Sequence, residues 1–553
     1  MLETSDPVDG IDATRLNHSL TRRRFLSQLG LLSAGAAAGP ALLACTQQGS
    51  SSSSSSSDWA KAPVTFVFAV DGDADVIDPH GVFDFESFQV TRNVYDPLVQ
   101  VDDAALKLVP WLATSWDVSA DGLTHTFHLR QGVTFHDGSK LDAQTVKMNF
   151  DRLLDMKKGP YYVVSNVTKV AVVDPMTVAI TTDGPDSYLP AHLVKVGIVS
   201  SQAITQHRTA SDPWATQFFQ DNAVGSGPYK LDQWQKGVQM NLVKNEKWWS
   251  PWRPGSIDKV IIKPTADVAA RIQLFQTGGA DFINLWPASE AIRVGKMAHR
   301  KLLEFNTFDT DPIFYLNTQR PPFDKKEVRQ AMQYAFDYNA MHDYYKGFAT
   351  IPTGPMPPDF PGAAQDLQPF KQDLTKAKAL LQQAGVSPSS VNPNCLVVTG
   401  VAEFSVAATI MQDSLKKLGA NLTITEIPST QLISRYSNPA SAGDMTPIIA
   451  SPFTLDPLIF MAFFRPDNTF NLAKFNDPSV TAQLDKAAKT ADSATQKQIL
   501  HDVQHYVRDQ APCVWGARPK TLVVIPDYLD GYVMQATDYR WTVRFDNLRV
   551  RAH

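Results

Sequence analysis

The sequence predicts a large α/β chain, and three observations carry that prediction. Short runs of β-branched and aromatic residues alternate with stretches of helical periodicity from end to end. No repeat of fixed period is visible. Beyond an N-terminal leader about 490 residues remain, enough for two or more lobes with cores of their own.

The leader comes first. Arg22 and Arg23, followed by Arg24-Phe25-Leu26, resemble a twin-arginine export signal. Residues 29–44 are apolar but carry Gly30, Gly35 and Gly39, and the run is shorter than the roughly 20 residues a helix needs to span a bilayer. It ends in Leu42-Leu43-Ala44-Cys45, which resembles the lipobox of bacterial lipoproteins and makes Cys45 the expected lipid-attachment residue. A packed hydrophobic helix would account for the apolar run alone, not for the order of arginines, apolar run and cysteine. Ser50 to Ser57 is unbroken serine with nothing to bury, so 46–62 is expected to be a flexible leash. Residues 1–45 are thus excluded from the folded domain as a signal peptide.

Composition narrows the function classes. The formal net charge is −5, from 51 basic and 56 acidic residues, and no Lys/Arg block follows the leader, which argues against a nucleic-acid partner. The 37 prolines imply many loops and strand ends; the 11 tryptophans and 29 phenylalanines fit either a core or a cavity wall. After Cys45 only Cys395 and Cys513 are left, and neither has a Cys or His at ligand spacing, so no metal centre is expected on them.

The elements then follow in order. VTFVFAV (64–70) reads as a buried strand. In 123–135 Leu123, Phe127, Leu129, Val133 and Phe135 keep one parity, strand periodicity broken by a turn at Gly132. Residues 141–156 turn helical through Val146, Phe150, Leu153 and Leu154. A single helix is predicted over 325–345, and others over 373–384, with Asp373 as cap and Gly385 as stop, and over 494–509. Strands are predicted at 421–427 and 522–525, and a Pro-rich connection at 351–361.

Five blocks in series resemble one family. LATSWDVSADGLTHTFHLRQGVTFHDGSKLDAQTV (112–146), GSGPYKL (225–231), FYLNTQRPPFDKKEVRQAMQYAFD (314–337), LTKAKALLQQAG (374–385) and FNDPSVTAQLDKA (475–487) look like the large peptide/nickel-type solute-binding proteins of ABC importers, extracellular solute-binding family 5. The resemblance implies a two-lobe periplasmic-binding-protein fold of the cluster C type, with an extra subdomain in lobe I and a hinge of two strands. Lobe I would comprise 63–305, with its subdomain near 100–220, and a C-terminal return at 516–553; lobe II would be 306–515. It also implies a monomer, anchored by lipid on the outer face of the cytoplasmic membrane or in the periplasm. That monomer would close on a small solute or peptide and hand it to ABC permease subunits, with no cofactor.

Within the family an Asp three residues before an Asp-Pro pair holds a peptide's α-amino group. Here the pair is Asp456-Pro457, and the earlier position is Phe453. The expected ligand is therefore one that needs no free α-amino group. Asp456 reads equally as a helix cap with Pro at the first turn, and Asp444 is the spare acid for a cationic group. Trp286, after DFINL, and Phe453 are candidate cleft aromatics or core. Asn317, in FYLNT, either bonds ligand or ties backbone. Tyr95 and Arg130 are further candidates, Arg130 reading also as a salt-bridged surface group.

Enzymatic readings find little support. His501 and His505 in HDVQH are spaced for zinc, but Asp502 stands where a zinc protease has Glu, and both lie opposite the apolar stripe of the helix. His125 and His128 fall on opposite faces of a strand. No Gly-x-Ser-x-Gly elbow or Walker loop is present. A transport binding protein, a sensor on the same fold and a hydrolase remain the classes to separate.

Overall fold

Three sheets carry the chain in the computed structural model, which describes residues 59–553 apart from 62, 83, 285, 439–440, 453, 469, 491 and 536–540. In lobe I the strand Thr65–Val70 runs parallel to both Lys259–Pro264 and Phe282–Ile283, and Gln239–Lys244 and Tyr229–Gln235 extend the sheet antiparallel. Strand alternation puts Phe66 and Phe68 on one face, where Phe68 meets Phe282 edge-on at 5.2 Å and Phe545 at 6.2 Å. Residues near the C-terminus thus complete this core: Phe545 and Leu548 are fully buried in it.

A second sheet, antiparallel, orders Ala113–Val118, Thr124–Leu129, Thr177–Thr182 and Val167–Asp174. The helix Ala143–Met156 lies against it with Val146, Phe150 and Leu153 inward, and Asp142 caps it by accepting from the Thr145 N–H. Here the predicted parity is seen, with Phe127 and Leu129 buried, but the strand is shorter than 123–135. It stops at Leu129, and beyond Gly132 (φ +78°) only a bridge between Thr134 and Lys140 remains.

Lobe II holds the third sheet, in the order Thr423–Ile427, Asn394–Val398, Met445–Ala450, Thr310–Leu316, Cys513–Trp515. The first three are parallel and the last two antiparallel to their neighbours. Cys395 and Cys513 are buried, free thiols three strand spacings apart, about 14 Å. The helix predicted over 325–345 is two, Lys326–Ala335 and Tyr338–Tyr344. Asp337 accepts from the Ala340 N–H and so starts a new helix, while Phe336 turns extended and drops into the core.

Two runs connect the lobes. Arg300–Phe305 pairs with Thr521–Pro526 on one side, and Thr310–Leu316 pairs with Cys513–Trp515 on the other. Between them the chains are stitched by Thr307 Oγ1 donating to Pro519 O (3.0 Å) and Arg518 Nη2 donating to Thr307 O (3.0 Å). The GSGP turn seals lobe I: a Cβ on Gly227 would lie 2.6 Å from the Val94 carbonyl, and its N–H donates to that oxygen at 3.0 Å. Only glycine allows that approach.

Candidate functional site

In open α/β sheets ligands bind beyond the carboxyl ends of parallel strands, and strand direction locates those ends in each lobe. In lobe II the crossing strand enters at Thr310, which pairs with Ala450, so the Ala450 edge is the one nearest the hinge. Thr399–Val401, Pro428 and Ser451–Pro452 leave from that edge. In lobe I the matching ends are Val70, Pro264 and Ile283, followed by Asp71, Thr265 and Asn284.

A polar cluster occupies the lobe I edge. Asn284 is fully buried; its Nδ2 donates to Asp71 Oδ1 at 2.5 Å, and its Oδ1 has no partner among the described residues. Glu86, in the first turn of the helix Phe85–Val94, presses on Gly72, whose added Cβ would stand 2.9 Å from Glu86 Oε1. Burial, together with the nearby charges of Asp71 and Asp84 and a hydrogen bond shared with Asp71, lifts the Glu86 carboxyl to about 7. The raised Glu86 carboxyl and the unpartnered Asn284 Oδ1 give this edge hydrogen-bonding capacity that a solute donor would satisfy.

The second sheet's domain touches lobe II through His192. His192 is 7 % exposed; its Nε2 donates to Asp456 Oδ2 at 2.9 Å, and its Nδ1 lies 3.5 Å from Asp186 Oδ2. Burial opposes charging the ring, but hydrogen bonds and attraction from both acids outweigh it and hold the imidazole up at about 10. Burial likewise opposes ionising Asp186, yet His192, Asn166 and the Tyr188 N–H hold it down at about 2. Asp456 also caps the helix Pro457–Met461 by accepting from the Leu458 N–H at 2.8 Å.

The residues chosen from sequence fall in several places. Phe453, like Arg22, Arg23 and Cys45, lies outside the described residues. Trp286 follows the Asn284 edge and packs edge-on to Phe275 at 5.2 Å, 7 % exposed. Asn317 and Asp444 are at the wrong end of the lobe II sheet for a cleft. Leu316 pairs with Met445 while Thr310 pairs with Ala450, so these two sit about 17 Å of strand away from the hinge edge. Asn317 Nδ2 there donates to Gly443 O, and Asp444 accepts from the Asn394 N–H (2.8 Å) and Arg320 (3.3 Å). Tyr95 is core, 2 % exposed, with Gly197 and Gly225 closed over its ring. Arg130 is structural: Nε donates to Trp111 O at 2.9 Å, and the guanidinium stacks 4.2 Å over Trp249.

Several functional-looking polar groups escaped the sequence. Asp71 and Asn284 had one available signal, a polar residue directly after a buried run (VTFVFAVD, DFIN); Glu86 had no such signal. His192 had none. The tryptophan richness is partly explained by Asp96, buried and bonded by Trp111 Nε1 (2.8 Å), Trp249 Nε1 (2.9 Å) and Ser226 Oγ (3.0 Å). A groove of about 500 Å³ lies between the helices Pro478–Ala488 and Ser493–Gln510. It is open to solvent and holds no convergent buried polar groups, so the hinge edges are the better site.

The chain matches the family described as bacterial extracellular solute-binding proteins, family 5 middle, over residues 107–471. It is 29% identical over 499 residues to the glutathione-binding protein GsiB of Pectobacterium atrosepticum, covering 85% of this chain and 92% of that one. GsiB of Salmonella paratyphi A is also 29% identical, over 89% of this chain and 92% of its own. Among solved structures it is similar to the periplasmic binding protein DppA from Helicobacter pylori in complex with the peptide STSA. The TM-score is 0.75 at 25% identity, covering 88% and 98% of the two chains. CtaP of Listeria monocytogenes shares the fold at TM-score 0.80 and 22% identity, over 89% and 100%.

Proposed function

This chain belongs to the bacterial extracellular solute-binding proteins of family 5, and from that premise we propose that it captures a peptide or peptide-like solute between its lobes and delivers it to an ABC permease. The observation that carries the reading is the pair of parallel-strand edges flanking the hinge, one of them bearing Asp71, Glu86 and Asn284. It acts by binding and closing, without turnover.

The ligand needs no α-amino anchor in lobe II. Position 453 is Phe, Asp456 is held by His192, and Asp444 lies at the far edge. Donor groups of the solute meet Asp71, Glu86 and Asn284 on lobe I instead. GsiB relatives, glutathione-binding proteins by name, support a peptide-like solute. Lobe boundaries near 305 and 515 fit the two crossings. The protein acts as a monomer tethered outside the membrane through Cys45 after twin-arginine export; no described helix is long and apolar enough to cross a membrane.

Native mass spectrometry of the protein purified from its own organism, followed by titration with glutathione and with free and N-acetylated peptides, tests the reading. A bound peptide-like mass, with affinity that survives acetylation and falls in Glu86→Gln and Asn284→Ala, is expected. Tight binding of free peptides that vanishes on acetylation would refute the amino-independent site.

A further inference from the structure

On the outside of lobe II the fold completes a donor set of which the sequence shows only part. HDVQH places His501 and His505 one turn apart on the helix Ser493–Gln510, off the face that buries Leu500, Val503 and Val507. Both Nε2 atoms converge on a single oxygen, Asp366 Oδ1, at 3.1 and 2.9 Å. The three ligand atoms all lie within 4.8 Å of one another. Asp366 arrives on the connection 351–373, which the same helix pins in place. Gln504, fully buried, accepts from the Ala364 N–H (3.0 Å) and donates to Gly362 O (2.9 Å). Behind the site His501 Nδ1 faces Asp502 Oδ1 at 3.1 Å, and Gln498 Nε2 donates to that same oxygen at 2.8 Å. A carboxylate behind a ligating imidazole fixes its orientation and raises its basicity.

We propose that Asp366, His501 and His505 form a divalent transition-metal site of the zinc class. Metal–nitrogen and metal–oxygen bonds of 2.0–2.2 Å at tetrahedral angles separate ligand atoms by about 3.3 Å. The present 2.9 and 3.1 Å contacts, each bridged by a proton, therefore need to open by only a few tenths of an ångström. Two imidazoles and one carboxylate suit zinc and its neighbours, not magnesium or calcium. With side chains 38–59% exposed, the ion has a way in and a fourth position left for water. Zinc here replaces the two bridging protons and fastens the 351–373 connection to the helix.

Equilibrium dialysis of the untagged full chain against zinc chloride, with metal counted by elemental analysis, tests the site; cobalt substitution adds a visible spectrum that reports tetrahedral geometry. One zinc per chain is expected, lost in Asp366→Asn and in His505→Gln with circular dichroism unchanged. Asp502→Asn, acting through His501, weakens binding about tenfold or more. Zinc retained equally by wild type, Asp366→Asn and His505→Gln, or no zinc retained at all, overturns the site and leaves the triad as an ion-pair clamp.

Discussion

Replacing His192 with alanine removes the imidazole that contacts both Asp186 and Asp456 at the seam where the second sheet's domain meets lobe II. The ring is raised from 6.5 to about 10, which at 1.36 kcal/mol per pH unit is about 5 kcal/mol of preference for its charged form. That sets the upper bound, because the desolvation of three buried groups opposes it. Removing one partner of a buried ion pair typically costs 3–5 kcal/mol, and we expect about 3 kcal/mol in urea unfolding at pH 7. The pH dependence has a definite sign. A raised imidazole contributes stability that is complete below pH 6.5 and is lost as pH rises toward about 10. The lowered Asp186 contributes stability present above about pH 4 that is lost as pH falls toward about 2. The difference between wild type and variant should therefore form a plateau from about pH 4 to 6.5 and fall on both sides. Two other groups face this trio: the His125 imidazole, which burial pushes down, and the Tyr188 phenol, which burial and the two acids push up. Neither gives a falling limb between pH 6.5 and 10. A His192→Ala loss under 1 kcal/mol, or a flat difference from pH 4 to 10, would refute the buried charged bridge.

Cys45→Ala should release the chain from membranes, read by fractionation and immunoblot; continued retention sinks the lipid tether. Asp96→Ala strands the indole N–H groups of Trp111 and Trp249 and the Ser226 hydroxyl in the core. At 1–3 kcal/mol for each unsatisfied group, a loss of about 3 kcal/mol or more is expected, with a change in tryptophan fluorescence; unchanged stability would contradict the arrangement. Cys395 and Cys513 are fully buried, with burial pushing both thiols up, so Ellman's reagent should find neither in the native state and both in denaturant. Fast native labelling, or no labelling after unfolding without reductant, would disagree with two buried free thiols.

Local chemistry was the legible part of this fold. Asp142, Asp373 and Asp492 start helices by accepting backbone N–H groups, and each was readable beside an apolar periodic run. The split at Asp337 was readable in principle by the same rule, but the apolar spacing carries across 325–345 and hides it. The site was less legible because it depends on strand direction. Asn317 and Asp444 are polar residues at the end of buried strands, as Asp71 and Asn284 are; only the register shows that the first pair faces away from the hinge. Contacts between distant segments were illegible altogether: His192 and Asp456 are 264 positions apart, and nothing local to either marks the other.

The occupied and open charges together make the two lobes unequal partners. A ligand moves an open–closed equilibrium only through the difference in its affinity for the two states. The His192–Asp456 bond already ties the second sheet's domain to lobe II through protein groups alone. The lobe II acids Asp456 and Asp444 already have partners, whereas on lobe I burial and the neighbouring acids hold the Glu86 carboxyl up at about 7 and Asn284 Oδ1 has no partner among the described residues. A solute donor therefore finds its open acceptor on lobe I, at Asn284 Oδ1 beside Asp71 and Glu86. Docking on lobe I first, with lobe II closing over the less polar remainder, is the order these charges favour.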